Sequence, residues 1–341
     1  MSADVAATEP TRASGMIDSL TGNAHRMSKL LFVVHRYAPY PGGSEYNVQR
    51  LAEEALRRGH GVTVLADTHR GDYRGVRVTS DRRIMREPFD LIVVHGDLAP
   101  QRAVLASAHR LRSPVLFLLV EPKTRDHVLA GMRCATFVGW GTSFDLEHIR
   151  RFGHAAKATR CRYGVPASTQ GRPGFKTAFG IGTSRMYLSA GGFWPRKGME
   201  ELTRAFLESR SPDTTLVLMG YDLRKGVPEA APGVRVIESP EHQVVLDAMR
   251  EADLYVMNSR SEGFGVVLLE AMLNRTPWAA RDIAAAHDLR DCGTVYATYE
   301  DLVRLLASFA PDPVQVARTR ERVLADHLVE HAFDDIEALL G

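Results

Sequence analysis

The stretch DLYVMNSRSEGFGVVLLEAML, residues 253–273, contains a strand, a turn and a helix from which the fold of this chain can be predicted. Its first part, DLYVMN, is a short apolar run typical of a parallel strand that is buried on both faces. Its last part, VVLLEAML, is typical of a helix that is buried on most sides, and the EGFG between them is a turn that can offer backbone amides. A strand, a turn and a buried helix in this order are the repeating unit of a doubly wound α/β domain.

Two carboxylates in this stretch need a partner. Glu262 lies in the glycine turn, and Glu270 follows eight residues later inside the apolar helix. A buried carboxylate is costly unless a cation or a hydrogen-bond donor satisfies it. Eight helical residues span about 12 Å, close to the distance from a sugar hydroxyl across a diphosphate to a ribose. We therefore expect both carboxylates to face an interdomain cleft, to form no salt bridge with protein cations, and to bind the diols of a ligand.

The same alternation of apolar strands and amphipathic helices runs on both sides of a passage rich in Gly, Pro, Ser and Thr, residues 160–184. The pattern predicts two doubly wound parallel-sheet domains, over 28–168 and 169–325. Residues 1–27 are predicted to be a disordered leader, and 326–341 a C-terminal helix that could pack back on the N-terminal domain. Because open parallel sheets bind ligands at the carboxyl ends of their strands, the cleft between the domains is the candidate active site.

Composition excludes several classes of protein. With 45% hydrophobic and 25% charged residues in 341, the chain is typical of soluble globular proteins. Its three cysteines are far apart and form no C-x-x-C, which argues against a zinc site or a disulfide framework and indicates a reducing, cytoplasmic compartment. The apolar run 115–120 is too short to cross a bilayer, and the leader has no apolar core of a signal peptide, so no integral membrane segment is expected.

The net charge of +2 conceals an asymmetry between the two halves of the chain. Residues 1–165 contain 24 Lys and Arg against 16 Asp and Glu, and the remainder contains 19 against 25. The halves therefore carry +8 and −6. Such an asymmetry indicates that the basic half faces an anionic partner, unless it is only drift of surface charge between two domains.

Two loops at predicted strand ends can bind an anion. Gly42 and Gly43 follow the first strand and precede a helix, where backbone N–H groups could approach a phosphate closely. They do not form G-x-G-x-x-G, so an NAD-dependent oxidoreductase, which Asp67 alone would support, is a minor alternative. In the second half, Arg196 and Lys197 precede a helix at a strand end and could clamp a diphosphate, or could be solvated surface cations.

The order of several segments resembles that of a known family. These segments are YPGGSEYNVQRLAEEALRRGHGVTVLA, FDLIVVHGD, RYGVP, RKGMEELTRAF, LVLMGYD, READLYVMNSRSEGFGVVLLEAM and TPWAARD, between residues 29 and about 310. They are similar to the retaining nucleotide-sugar glycosyltransferases of GT-B fold in the large family numbered four. The strongest part of the resemblance is the Glu-x7-Glu motif with its EGFG turn. It implies two Rossmann-like domains that face each other across a cleft.

The resemblance also implies roles for residues. Glu262 would bind donor sugar hydroxyls near the anomeric centre, Glu270 the ribose diol, and Lys197 the diphosphate leaving group. Further contacts to the donor would come from Arg196, Gly42, Gly43, Gly263, Phe264 and Gly265. The family is thought to retain anomeric configuration by front-side attack within an ion pair, with no metal ion and no cofactor besides the nucleotide-sugar substrate. Accordingly, no D-x-D sits at a strand end here.

The chain departs from the family pattern at several positions. Gly191–Gly192 stand where relatives usually have an arginine, for which Arg196 could substitute. Glu121 lies where many relatives have a histidine near the reacting sugar, and it could take a polar role there; His95 matches an earlier family histidine. Family glycines are replaced by Arg275 and by Ala284–Ala285. These departures keep open the alternative of a catalytically inactive protein that binds sugar nucleotides.

The sequence leaves the acceptor open. A basic N-terminal half suits a lipid-linked glycan at an anionic membrane, to which a cytoplasmic enzyme would bind peripherally. It equally suits a modified base in DNA. A small neutral acceptor is the third alternative.

Overall fold

The computed structural model describes residues 27–67, 70–96, 98–120, 125–211, 213–221 and 231–340, apart from the side chains of Ala284 and Ala285. The predicted leader lies outside this part of the chain except for Met27. The described residues form two α/β domains, each built on a sheet of mostly parallel strands. The predicted fold class is therefore confirmed.

The N-terminal sheet, as far as the chain is described, has eight strands. They are β1 Lys29–Val33, β2 Gly61–Leu65, β3 Gly71–Tyr73, β4 Val76–Thr79, β5 Leu91–His95, β6 Val115–Leu118, β7 Phe137–Trp140 and β8 Ala158–Arg160. Its helices are α1 Gly43–Arg57, α2 Ala99–Ser107, α3 Asp126–Cys134 and α4 Ser143–Arg151. The strand order is β3-β4-β2-β1-β5-β6-β7-β8, and β3 alone in this described sheet runs antiparallel to its neighbour.

The C-terminal sheet is parallel throughout its described strands, in the order β11-β10-β9-β12-β13-β14. These strands are β9 Arg185–Ala190, β10 Thr214–Gly220, β11 Val234–Glu238, β12 Leu254–Met257, β13 Trp278–Arg281 and β14 Thr294–Tyr296. Its helices are α5 Phe175–Ala178, α6 Met199–Ser209, α7 His242–Glu251, α8 Val266–Leu273, α9 Ala284–Asp288, α10 Tyr299–Ser308 and α11 Pro313–Asp326. Among the described helices of the whole chain, we find none long and apolar enough to cross a membrane.

Both faces of the N-terminal sheet are buried, which explains why its strands are unbroken apolar runs. Leu30 and Phe32 of β1 point to the side covered by α1, and Leu31 and Val33 point to the side covered by α2 and α3. Successive side chains of a strand alternate between faces, so a strand covered on both sides must be apolar at every position. The C-terminal sheet is likewise packed between two apolar clusters.

The last helix, α12 Val329–Glu337, completes the core of the N-terminal domain. The chain returns there beside Val165, which pairs with Leu328 in an isolated parallel bridge. Phe333 is fully buried among residues of the N-terminal sheet and α1. Arg58 at the end of α1 donates hydrogen bonds to carboxylates of α12, among them Glu337 at 2.6 Å. The N-terminal domain is thus assembled from both ends of the described chain.

Candidate active site

The EGFG turn lies where the two domains meet. It follows β12 at the carboxyl edge of the C-terminal sheet, and Gly265, in the left-handed region at φ +80°, immediately precedes α8. A Cβ atom added to Gly263 would lie 2.1 Å from the carbonyl oxygen of Val120, just beyond the end of β6 in the N-terminal domain. Only glycine allows the turn to approach the opposite domain so closely. The turn therefore lies at the contact between the two domains.

Glu262 is held by cations of its own domain. Lys197 Nζ lies 2.5 Å from Glu262 Oε1, Arg196 Nη1 lies 3.7 Å from the other carboxylate oxygen, and the Ser259 hydroxyl donates at 2.6 Å. Burial alone would raise the pKa of Glu262, but the Lys197 charge and these hydrogen bonds outweigh it and hold the pKa below its ordinary range. Glu262 is therefore an anion at neutral pH, in contact with the two cations predicted to clamp a diphosphate.

Glu270 is held by a cation of the other domain. Arg50 Nη2, from α1, lies 2.5 Å from Glu270 Oε1, and His242 Nε2 lies 3.1 Å from the same oxygen. Both side chains of the Arg50–Glu270 pair are less than a tenth exposed. Burial raises the pKa of Glu270, but the Arg50 charge and then the His242 charge lower it to a net value of about 2.

The expectation that Glu262 and Glu270 form no salt bridge with protein cations is wrong for both. Each is paired, Glu262 with Lys197 and Glu270 with Arg50. An ionised carboxylate removed from water needs a counter-charge, and Lys197 and Arg50 supply it here. The carboxylates are brought to the interdomain region as predicted, but a ligand is not needed to satisfy them.

An aromatic contact supports the Arg50–Glu270 pair. Tyr46, one helical turn before Arg50 on α1, stacks on His242 with ring centroids 4.8 Å apart. His242 in turn contacts Glu270. The four side chains thus form a continuous cluster that crosses from α1 to α7 and α8.

The two predicted cations lie on a short 3-10 turn, Pro195–Lys197, between β9 and α6. This turn is bonded to the loop after β12: Arg260 N–H donates to the Arg196 carbonyl at 2.7 Å, and Arg196 Nη1 donates to the Ser261 carbonyl at 3.1 Å. Because β9 and β12 are neighbouring parallel strands, their exit loops meet at the same edge of the sheet. This topology brings residues 65 positions apart into one charged site.

The start of α1 is occupied by one of its own carboxylates. A Cβ atom on Gly42 would lie 2.1 Å from Glu45 Oε2, so the Glu45 side chain folds back against the glycine pair. Arg36 Nε donates to Glu45 Oε1 at 3.1 Å. Burial raises the pKa of Glu45, partly offset by the backbone of its own residue and by Arg36. In this arrangement Glu45 lies where Gly42 and Gly43 were predicted to receive a diphosphate.

The remaining predicted residues are placed as follows. The Phe264 ring is buried and stacks on Tyr163 of the N-terminal domain, with centroids 4.8 Å apart, so its side chain contributes to interdomain packing. His95 is 2% exposed, its two ring nitrogens have no hydrogen-bond partner in the described residues, and burial lowers its pKa to about 4. It is therefore neutral at pH 7. Glu121 lies outside the described residues.

Arg50, His242 and Tyr46 were not predicted from the sequence. Arg50 and Tyr46 are four residues apart on α1 and therefore share a helix face, which was the available signal. Nothing in the sequence near Glu270 indicates that this face contacts α8. Among the described residues, no group of three or more His, Cys, Asp or Glu could hold a metal ion.

The pairing of Glu270 predicts a specific dependence of stability on pH. Its pKa in the folded protein lies below the ordinary 4.5, at about 2. Its contribution to stability is therefore complete above about pH 4.5 and is lost as the pH falls toward 2. In urea denaturation at several pH values, the free energy of unfolding of Glu270→Gln should fall less steeply over this range than that of the wild type. The exposed Glu300→Gln is the control, and parallel curves for wild type and Glu270→Gln would contradict the pairing.

Comparisons of sequence identify relatives of part of the chain. Residues 184–312 match the family model described as Glycosyl transferases group 1. Over 98 residues the chain is 36% identical to the phosphatidyl-myo-inositol mannosyltransferase of Mycobacterium tuberculosis strain H37Rv, covering 27% of this chain and 26% of that protein. The enzyme of the same name from Mycolicibacterium smegmatis is 35% identical, with 27% and 25% covered. The chain thus matches about a quarter of the length of these curated relatives.

Solved structures resemble nearly the whole chain. HepE of Anabaena, in complex with UDP and glucose, superposes with a TM-score of 0.73 at 17% identity, covering 92% of this chain and 99% of that one. Sucrose-phosphate synthase from Thermosynechococcus elongatus gives 0.75 at 16%, covering 92% and 98%. WaaG, a glycosyltransferase involved in lipopolysaccharide biosynthesis, gives 0.70 at 17%, covering 92% and 100%. These identities establish the fold alone. The described residues therefore have the GT-B fold, and the C-terminal domain matches the group 1 glycosyl transferases over residues 184–312.

Proposed function

We propose that the chain is a retaining glycosyltransferase of the large family numbered four, which carries the Glu-x7-Glu motif. It would use a nucleoside-diphosphate sugar as donor, without a metal ion or cofactor. One observation carries this proposal. Lys197 lies 2.5 Å from Glu262, with Arg196 beside it, at the carboxyl edge of the C-terminal sheet and next to the N-terminal domain. A cation pair next to a carboxylate suits a sugar diphosphate, since the cations bind the phosphates and the carboxylate accepts hydrogen bonds from the sugar. The UDP and glucose bound to HepE and the mannosyltransferase names of the relatives support the same substrate class.

In the proposed reaction, the bond between the anomeric carbon and the diphosphate oxygen breaks. The acceptor oxygen forms its bond to the same face of that carbon, and the acceptor proton passes to the departing phosphate oxygen. Negative charge grows on the diphosphate as the bond breaks, and Lys197 and Arg196 are the fixed cations that stabilise it. Glu262, ionised by its surroundings, orients the sugar through its hydroxyls and stabilises positive charge at the anomeric centre.

A panel of UDP- and GDP-sugars tests this function. The purified chain should release nucleotide diphosphate from one of them, with equal rates in the presence and absence of EDTA. With an acceptor in hand, the anomeric configuration of the product, measured by NMR, should be that of the donor. Calorimetric binding of a sugar nucleotide without any release would instead identify a catalytically inactive binding protein. Absence of both release and binding across the panel would contradict the proposal.

For the acceptor, we propose an anionic lipid-linked molecule at a membrane surface. The net charge of +8 over residues 1–165 favours an anionic partner. The curated relatives are named for phosphatidyl-myo-inositol, and WaaG is described as involved in lipopolysaccharide biosynthesis. A cytoplasmic enzyme that binds the membrane peripherally would meet such an acceptor, and three free cysteines suit that compartment.

This acceptor predicts binding that depends strongly on salt. Vesicles containing anionic phospholipid should bind the chain at about 50 mM salt and release most of it at about 200 mM, because surface charges are screened over this range. Vesicles of neutral lipid are the control and should not bind at either concentration. Duplex DNA is titrated in parallel. Binding to DNA alone would identify a nucleic-acid acceptor, and failure to bind either at low salt would show that the charge asymmetry is only surface drift.

A further inference from the structure

The Arg50–Glu270 pair joins the two domains at the residue proposed to bind the donor ribose. Arg50 belongs to α1 of the N-terminal domain and Glu270 to α8 of the C-terminal domain. Their atoms are 2.5 Å apart, and both side chains are less than a tenth exposed. The Glu270 oxygen that accepts from Arg50 also accepts from His242. This oxygen therefore has one hydrogen-bond partner from each domain.

We propose that Arg50 acts as a latch: in the absence of donor, its ion pair with Glu270 keeps the cleft between the domains closed. When the donor binds, its ribose displaces Arg50 from Glu270. This inference rests on the proposed function, because it assigns the ribose diol to Glu270. A ribose hydroxyl and the Arg50 guanidinium compete for the same carboxylate, and they differ in one respect. With the ribose bound, Glu270 would contact a ligand held by its own, C-terminal domain. With Arg50 bound, Glu270 is joined to the opposite domain.

The surrounding contacts fix Arg50 in this position. Tyr46, on the same helix face, stacks on His242 at 4.8 Å, so α1 is held against α7 as well as against α8. Removing one member of a buried ion pair leaves the other charge unpaired and strongly disfavours the arrangement that buries it. In a chain that lacks the Arg50 guanidinium, the closed arrangement would bury Glu270 with His242 alone. That chain should therefore open.

Opening of the cleft should increase the affinity for nucleotide, whereas the loss of an ordinary binding residue decreases it. If only the unlatched chain accepts the nucleotide, the apparent dissociation constant is the intrinsic one divided by the unlatched fraction. A latch closed in about nine of ten molecules raises the apparent constant about tenfold. Breaking the latch on the arginine side should thus tighten nucleotide binding, while breaking it on the glutamate side should weaken binding.

The test compares Arg50→Met, Glu270→Gln and the control Arg57→Met with the wild type. Arg57 lies on the same helix, but its partner Glu54 also belongs to α1, so its loss does not affect the interdomain contact. Small-angle X-ray scattering without nucleotide measures opening, and calorimetry with UDP and GDP measures affinity. Circular dichroism first confirms that each variant is folded. We expect a larger radius of gyration for Arg50→Met and Glu270→Gln, about tenfold tighter nucleotide binding for Arg50→Met, and weaker binding for Glu270→Gln.

The outcomes separate the latch from the proposed function. The latch would be overturned if the wild type binds nucleotide and Arg50→Met shows the same nucleotide affinity and the same radius of gyration. Weaker binding in Arg50→Met would overturn it too, and would make Arg50 a direct ligand of the donor. If no variant binds UDP or GDP, the proposed donor and the displacement both fail, while the scattering still decides whether Arg50 closes the cleft.

Discussion

Replacing Lys197 by alanine is expected to lower the turnover of the donor sugar about 10²- to 10³-fold. The loss of one hydrogen-bond donor fixed at a site of developing negative charge has an effect of this size in other enzymes. Lys197 Nζ is 2.5 Å from Glu262, at the place where the diphosphate leaving group would form. Since charge on the diphosphate grows as the glycosidic bond breaks, the ammonium should stabilise the transition state more than the bound donor. Steady-state kinetics of nucleotide release give kcat and KM separately.

The control for this experiment is Lys176→Ala. Lys176 also pairs with a carboxylate of the C-terminal domain, Asp253, at 3.5 Å, but this pair is remote from the EGFG turn in the sheet, at the opposite end of β12. It should leave kcat unchanged. If Lys197→Ala raised KM and left kcat as in the wild type, Lys197 would bind substrate and transition state equally and would have no role in leaving-group stabilisation. Thermal denaturation of both variants checks that the loss of the Glu262 partner has not unfolded the site.

The Phe333→Ala variant is expected to lose about 3–5 kcal/mol of unfolding free energy, the usual cost of truncating a fully buried phenylalanine. Phe333 on α12 is 0% exposed and packs among residues of β1 and α1. The loss should appear in urea denaturation as a lower midpoint. Leu207→Ala removes a large apolar side chain that is 43% exposed on α6, and it should change the free energy by about 0.5 kcal/mol or less.

This stability prediction also concerns the site, because α12 packs against α1. The helix α1 carries Gly43 at its start and Arg50 on the face that meets α8. Loosening α12 should therefore also loosen the contact of Arg50 with Glu270 on α8. An effect of Phe333→Ala below about 1 kcal/mol would show that the last helix contributes no more than a surface element does.

The fold could be predicted from sequence because its signal is local. Each parallel strand is buried on both faces and is therefore an unbroken apolar run, and each helix repeats its apolar residues at helical spacing. Glycines and polar residues at the strand ends then predicted a ligand site that includes Lys197 and Glu262. Their meeting follows from the neighbouring positions of β9 and β12. The antiparallel hairpin of β3 and β4 was not predicted, since strands of three and four residues carry too little pattern.

The partner of each carboxylate could not be predicted in the same way. Glu270 was expected to have a ligand as its partner, but α1 brings Arg50 to it from 220 positions away. The glycine pair before α1 was expected to face a phosphate, but Glu45 folds back against it. Local sequence patterns were enough to predict that two doubly wound domains form and that the carboxylates of residues 262 and 270 lie in the region between them. Which cation neutralises each carboxylate depends on the packing of distant segments, because a buried charge is stabilised by whichever group lies within a few ångströms, and no local pattern records that distance.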